Sequence, residues 1–365
     1  MEDAKSPRSC RTAPAAVISL LLAGILVAGC APGGDSRETG SSALADSVLT
    51  NAARHVIHPT YERLHTEARS LLVAARAFQQ RPNADNLARA RRAWREARAA
   101  WESAEAFLFG PVATEDFDSA IDSWPVNEAD LKQVLAGSDS LSAKRVSSLG
   151  DTEKGFHAIE YLLFGKRGRQ TVSALTGRRI DYLVAAVRHL EQTTDKLAQT
   201  WAPGANNYGQ TFVTAGASDN RTFYNKGSAL RQLVISMAAL AKELANEKLG
   251  APLKAKSARR VESRFSGNSL ADFKNNVAGL RHLYTGDYRG HAGPGLDEIV
   301  KAKKPKLDER FRRELENARG SLDQIPDPFR TAVTEAPEAV RRARSAARRL
   351  ARTLEEDIKP LVIAV

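Results

Sequence analysis

Cysteine is nearly missing from this chain of 365 residues: Cys10 and Cys30, both at the extreme N-terminus, are its whole supply. Everything beyond Cys30 therefore lacks a disulfide, a cysteine–zinc site and a cysteine nucleophile. Any metal held there must use His, Asp, Glu or backbone oxygen. The chain also has no H-E-x-x-H, no phosphate-cradling glycine loop and no nucleophile-elbow serine. No stretch alternates apolar and polar residues long enough to demand a sheet. Long hydrophobic runs are scarce, and "AAVISLLLAGILVA" (15–28) is too short for a comfortable membrane span.

What surrounds that run gives it a meaning. Lys5, Arg8 and Arg11 precede it as a positive n-region, and "LVAGC" follows it. Small residues before a cysteine resemble the lipobox of bacterial lipoproteins, where cleavage leaves the cysteine as a lipidated first residue. The expectation is a leader over 1–29, a lipid on Cys30 and a flexible tether over 30–44. The protein would then face the periplasm, anchored by that lipid to the outer membrane. Export weakens any nucleic-acid reading of the net charge of +11, and no nucleic acid is expected as partner.

Past the tether the apolar pattern is helical. Ile57, Tyr61, Leu64, Ala68, Leu71, Ala75 and Phe78 form one stripe at three- and four-residue spacing. Leu87, Trp94, Trp101 and Leu108 recur every seven residues with Ala90, Ala97 and Ala104 between them, a seam of bulky against small. Further stripes run through 180–201, 230–244, 270–284 and 340–354. The fold class is all-α. The turn-rich "APGANNYG" (202–209) divides the chain into helical bundles over 45–205 and 206–365. A second connection, 250–267, is long for a helix junction, and Asn268 or Ser269 is expected to cap the helix after it.

"GFHAIEYLLFG" (155–165) sets His157 and Glu160 in an otherwise apolar helix, three apart and so on one face. A buried pair of this kind can ligate one metal, work as an acid–base pair, or form a structural hydrogen bond. "EAFLFG" (105–110) echoes "EYLLFG" (160–165), each with a glutamate five residues before a glycine. Glu105 lies beside the Trp101 seam, within reach of a neighbouring helix. His157, Glu160 and Glu105 would offer a nitrogen and two carboxylates, a set that iron, manganese or zinc accepts. Arg98 and Glu102, four apart, read as an ordinary surface pair. His55, His58, Glu62 and His65 form a rival polar stripe, centred away from the apolar line of their helix and so expected to face solvent. The arginines over 341–352 read as the coat of a last helix.

The segment "GFHAIEYLLFG" resembles the G-x-H-x-x-E signature of the imelysin-like family, the insulin-cleaving membrane protease or iron-regulated-protein family. "WREARAAWESAEAFLFGPV", "FDSAIDSWPVN" and "RFSGNSLADFKNNVAGLRHLYTG" agree with it in the same order. The resemblance implies a helical fold of two bundles with a pocket near their junction. It also implies a site built on Gly155, His157, Glu160 and Glu105, with Arg98, Ser266 and Asn268 as ligand-binding carry-overs. The family is associated with iron uptake and classified among metallopeptidases. That gives three expectations: a protein binding a metal ion or metal-bearing ligand (iron or zinc) beside iron-uptake components, a metallopeptidase using Glu160 or Glu105, or an interaction scaffold with a structural His–Glu pair.

Overall fold

A computed structural model describes residues 35–204 and 207–363; Cys10 and Cys30 lie outside them. Those residues are helical almost throughout, as the periodicity implies, and contain no named strand. Helix α1 (Asp35–Asn51) runs through a π-helical turn (Ala52–Ile57) into α2 (His58–Gln80), whose Pro59 sits where a helix N-terminus tolerates it. Asn83 caps α3 (Ala84–Ala104) by accepting from the Asn86 N–H. Then come α4 (Gly155–Phe164), α5 (Arg178–Trp201) and α6 (Lys226–Glu243). Helices α7 (Ser269–Thr285), α8 (Pro305–Asp323) and α9 (Pro337–Arg352) follow.

Helix α2 lies between α3 and α5, and α4 fits against both α3 and α5. Helices α6 and α8 flank α9, while α1 packs on α6. Helix α7 touches α8 on one side and crosses α3 on the other. The crossing is close: a methyl group at Gly279 would meet the Ser103 carbonyl oxygen at 2.2 Å. Only glycine lets the two backbones come this near.

The tryptophan seam does what its spacing predicts. Trp94 and Trp101 are fully buried on α3. The Trp94 indole donates to the Phe156 carbonyl at 3.0 Å and meets the Phe164 ring edge-on, which fixes α4 against α3. Three expectations fail. Helix α1 already begins at Asp35, inside the 30–44 stretch expected to be a flexible tether. The 250–267 connection is partly helical, with a turn over Gly250–Ala255 and a tight 3-10 turn over Ala258–Arg260. Asn268 stands at the start of α7 without capping it, because its side chain donates to Asp272 instead. Among the described residues, no helix is long and apolar enough to cross a membrane.

Candidate functional site

Where α3, α4 and α7 meet, the helix faces turn from apolar to charged while remaining buried. Arg98, Glu102, Glu160 and Asp272 are fully inaccessible, and His157 is nearly so. Arg98 and Glu102 pair at 2.5 Å, but in the core rather than at the surface. Their spacing announced the pair and could not announce that α7 would cover it. Around the Arg98 guanidinium stand Asp122, Glu262 (2.8 Å) and, more distantly, Asp272 (3.9 Å). A second buried cation, Lys248, donates to Glu105 at 2.5 Å and to Glu102 at 3.0 Å, and lies 3.3 Å from Glu262. Asn276 on α7 donates to the Glu102 and Glu105 carboxylates at 2.7 and 2.6 Å.

His157 is held between carboxylates. Its Nδ1 lies 3.3 Å from Glu160 Oε2 and its Nε2 lies 3.2 Å from Asp122 Oδ1. Glu160 turns its other oxygen outward, accepting from the Phe265 N–H, the Ser266 N–H and the Ser266 hydroxyl at 3.1, 2.7 and 2.7 Å. Asp122 is fixed from below by the Trp101 indole, which donates to it at 2.7 Å.

This crowding sets the ionisation. Burial and Arg98 oppose a proton on His157, but Asp122 and Glu160 outweigh them and raise its pKa to about 9. Burial likewise favours neutral carboxyls, yet Arg98 and His157 hold Asp122 ionised, below the usual carboxylate range. Burial, with Glu102 as an added repulsion, pushes Glu105 well up, and Lys248 only partly offsets it. Glu262 is raised to about 7, first by burial and against Lys248. Asp272 is also raised, by burial and by Glu102. Carboxyl groups outnumber Arg98, Lys248 and His157, and burial together with that excess raises the proton affinity of Glu105, Glu262 and Asp272.

Ligand atoms converge in two overlapping groups, Asp122–His157–Glu262 and Glu102–Glu105–Asp122, each with its atoms within 4.8 Å of one another. Of the residues picked from the sequence, His157 and Glu160 touch, and Ser266 binds Glu160. Arg98 donates to Glu262 beside the His157 ring, and Asn268 reaches the site through Asp272. Glu105 enters through Lys248 and Asn276 rather than through His157. Asp122, Lys248 and Glu262 were missed. Asp122 belongs to the quoted "FDSAIDSWPVN" segment, but no local pattern marks Lys248 or Glu262 as buried.

The rival histidine stripe disperses. His55 stacks on His291 with ring centroids 4.0 Å apart, His58 faces Glu62 at 3.6 Å, and His65 faces Asp195 at 3.8 Å. Among the described residues these histidines enter no group of metal-ligating side chains.

The Imelysin family model (Peptidase M75) matches residues 57–357, which is most of the chain and contains every residue of this cluster. The chain belongs to the imelysin family. It is 32% identical over 324 residues to iron-regulated protein A of Synechococcus elongatus, covering 87% of each chain. A crystal structure described as an iron-regulated protein A precursor, from Parabacteroides distasonis, superposes with a TM-score of 0.80 at 23% identity; 88% of this chain and 95% of that one are covered. An imelysin-like protein from Psychrobacter arcticum superposes with a TM-score of 0.73 at 16% identity, covering 89% and 96%. These likenesses support the all-helical imelysin fold over the length of the structure.

Proposed function

We propose that this imelysin-family chain is an envelope protein of iron uptake that binds a divalent metal ion, or a metal-bearing ligand, at the buried cluster. One observation carries the reading: Asp122, His157 and Glu262 converge in a cluster whose carboxylates outnumber its cations. One nitrogen with two carboxylates suits iron, manganese or zinc, and a metal would replace protons where negative charge is in excess. Asp122, His157 and Glu262 would hold it, and Glu160 would orient His157 through Nδ1. The ion itself supplies charge neutralisation. Arg98 and the His157 proton now occupy the same atoms, so binding requires both to yield and must release protons. The relative from Synechococcus bears an iron-regulated name, and the same association is extended to this chain here.

Calorimetry with ferrous, manganous and zinc ions on purified protein tests this. Binding with proton release, abolished in His157→Ala while the helical circular dichroism signal persists, is the expected result. Absence of any His157-dependent binding overturns it. A peptidase reading would be favoured instead by cleavage of unfolded substrates that both a chelator and Glu160→Gln abolish. Anchoring through a lipid on Cys30 is part of the same proposal; incorporation of labelled fatty acid, lost in Cys30→Ala, checks it.

A further inference from the structure

Adjoining the buried cluster is a cleft of about 470 Å³ whose wall includes Lys166, Arg259, Arg264, Arg330, Glu128 and Phe265. Cations dominate it. Glu128 pairs with Lys166 at 3.4 Å and with Arg264 at 3.0 Å. Neither Arg259 nor Arg330 has an ion-pair partner among the described residues. The positive charge is also pre-positioned. Arg264 donates to the Arg259 carbonyl at 3.0 Å and lies 4.7 Å over the Phe265 ring. The Arg330 guanidinium stands against Gly267, where a methyl group would approach it to 3.5 Å. Phe265 is buried edge-on against Tyr161 at 5.2 Å, so this part of the wall is firm.

The cleft is joined to the signature helix by backbone. The N–H groups of Phe265 and Ser266 both point at Glu160. Glu160 therefore shapes the cleft wall with one carboxylate oxygen and holds His157 with the other.

We infer that this cleft recognises a small polycarboxylate, free or as its metal chelate. Guanidinium groups match planar carboxylates in a way that ammonium groups and single point charges do not. The volume falls in the range of small-molecule sites. Cations spread around it suit carboxylates carried on one compact scaffold better than a lone tetrahedral anion. Polycarboxylates are hard oxygen donors, the kind that hold iron in solution. The inference deepens the metal reading by naming the ligand's class, and rests on that reading for the metal alone.

Citrate is the probe, titrated by calorimetry into purified protein at low ionic strength, with inorganic phosphate as the parallel arm. Citrate should bind and should weaken as salt is added. The Arg259→Ala/Arg330→Ala double variant should lose at least about tenfold in affinity, about 1.4 kcal/mol, at an unchanged melting temperature. If that variant is unstable, Lys166→Glu at the exposed rim serves instead, with the same direction of effect. His157→Ala should still bind citrate. No citrate binding, equal affinity in the cleft variants, or phosphate binding as tightly as citrate each overturns the inference. Citrate binding without any His157-dependent metal binding would sustain the cleft and fell the cluster reading; the reverse pattern would do the opposite.

Discussion

The chain writes nearly the same phrase twice and uses it in opposite ways. In "EAFLFG" and "EYLLFG" the glutamates, Glu105 and Glu160, are buried, and the closing glycines, Gly110 and Gly165, adopt positive φ of 68° and 62°. There the likeness ends. Glu160 accepts from two backbone N–H groups and a hydroxyl and faces the His157 ring. Glu105 shares Lys248 and Asn276 with Glu102, a second carboxylate, and its affinity for a proton rises well above the ordinary value. Sequence spacing puts a carboxyl in place. Its charge is decided by groups far away in the chain.

Removing Lys248 should break the comparison most severely. In Lys248→Met, Glu102, Glu105 and Glu262 lose their common cation while the contacts of Glu160 are untouched. Removing one partner of a buried ion cluster costs about 3–5 kcal/mol, to be read from urea unfolding at neutral pH. A loss below about 1 kcal/mol would mean that Lys248 is not the cation that holds Glu102, Glu105 and Glu262 together.

Next in size is the dependence on pH. His157 binds its proton more tightly folded (pKa about 9) than unfolded (about 6.5), so its contribution is complete below pH 6.5 and lost as pH rises through 9. The loss is on the order of 3 kcal/mol. Glu262, raised to about 7, has the same sign over a lower window: its contribution fades between about pH 4.5 and 7. Asp122 runs the other way, because its depressed pKa adds stability as pH rises through the ordinary carboxylate range. Denaturation series from pH 5 to 10 should therefore show a descending alkaline limb that His157→Gln flattens. An unchanged limb in that variant would deny His157 its place between Asp122 and Glu160.

Much of this was legible beforehand, and the reason is local. Helical stripes, the tryptophan seam and the His157–Glu160 face all follow from three-, four- and seven-residue spacing, which a chain displays without reference to its partners. The ion network is not local. Arg98 and Glu102 read as a surface pair because nothing in their own helix shows that Gly279 will let α7 close over them. Glu262 sits in the 250–267 connection, which looks like solvated loop, Lys248 ends the π-helical turn Leu244–Lys248 just before it, and Asn268, a good capping residue by type, is drawn away by Asp272. Polar residues whose partners lie more than a hundred positions away, as Lys248 does from Glu102, give no periodic signal.

A gentler test exchanges each glutamate for its neutral isostere. Glu160→Gln converts a charge-assisted acceptor of several donors into a neutral one and sets an amide against His157, a loss of about 2 kcal/mol. Glu105→Gln should cost under about 1 kcal/mol, because a carboxyl that already favours its proton loses little charge and the amide can still accept from Lys248. Equal costs in chemical denaturation would contradict the raised proton affinity of Glu105.

The glycines make the finest distinction. Alanine at either position must adopt positive φ with extended ψ, a region left almost wholly to glycine, at about 1–3 kcal/mol. Gly110→Ala meets a further obstacle, for its new methyl would lie 2.4 Å from the Tyr208 ring. That ring is wedged between Phe109, Trp201 and Phe223. At Gly165 the nearest atom is the Gln170 side-chain oxygen, 2.8 Å away, on a flexible side chain that can swing aside. Gly110→Ala should therefore be the worse of the two by about 1 kcal/mol, the cost of disturbing packed aromatic rings. Differential scanning calorimetry of the two variants settles the order. If Gly165→Ala proved the more damaging, the aromatic packing against Gly110 would not be what separates the two ends.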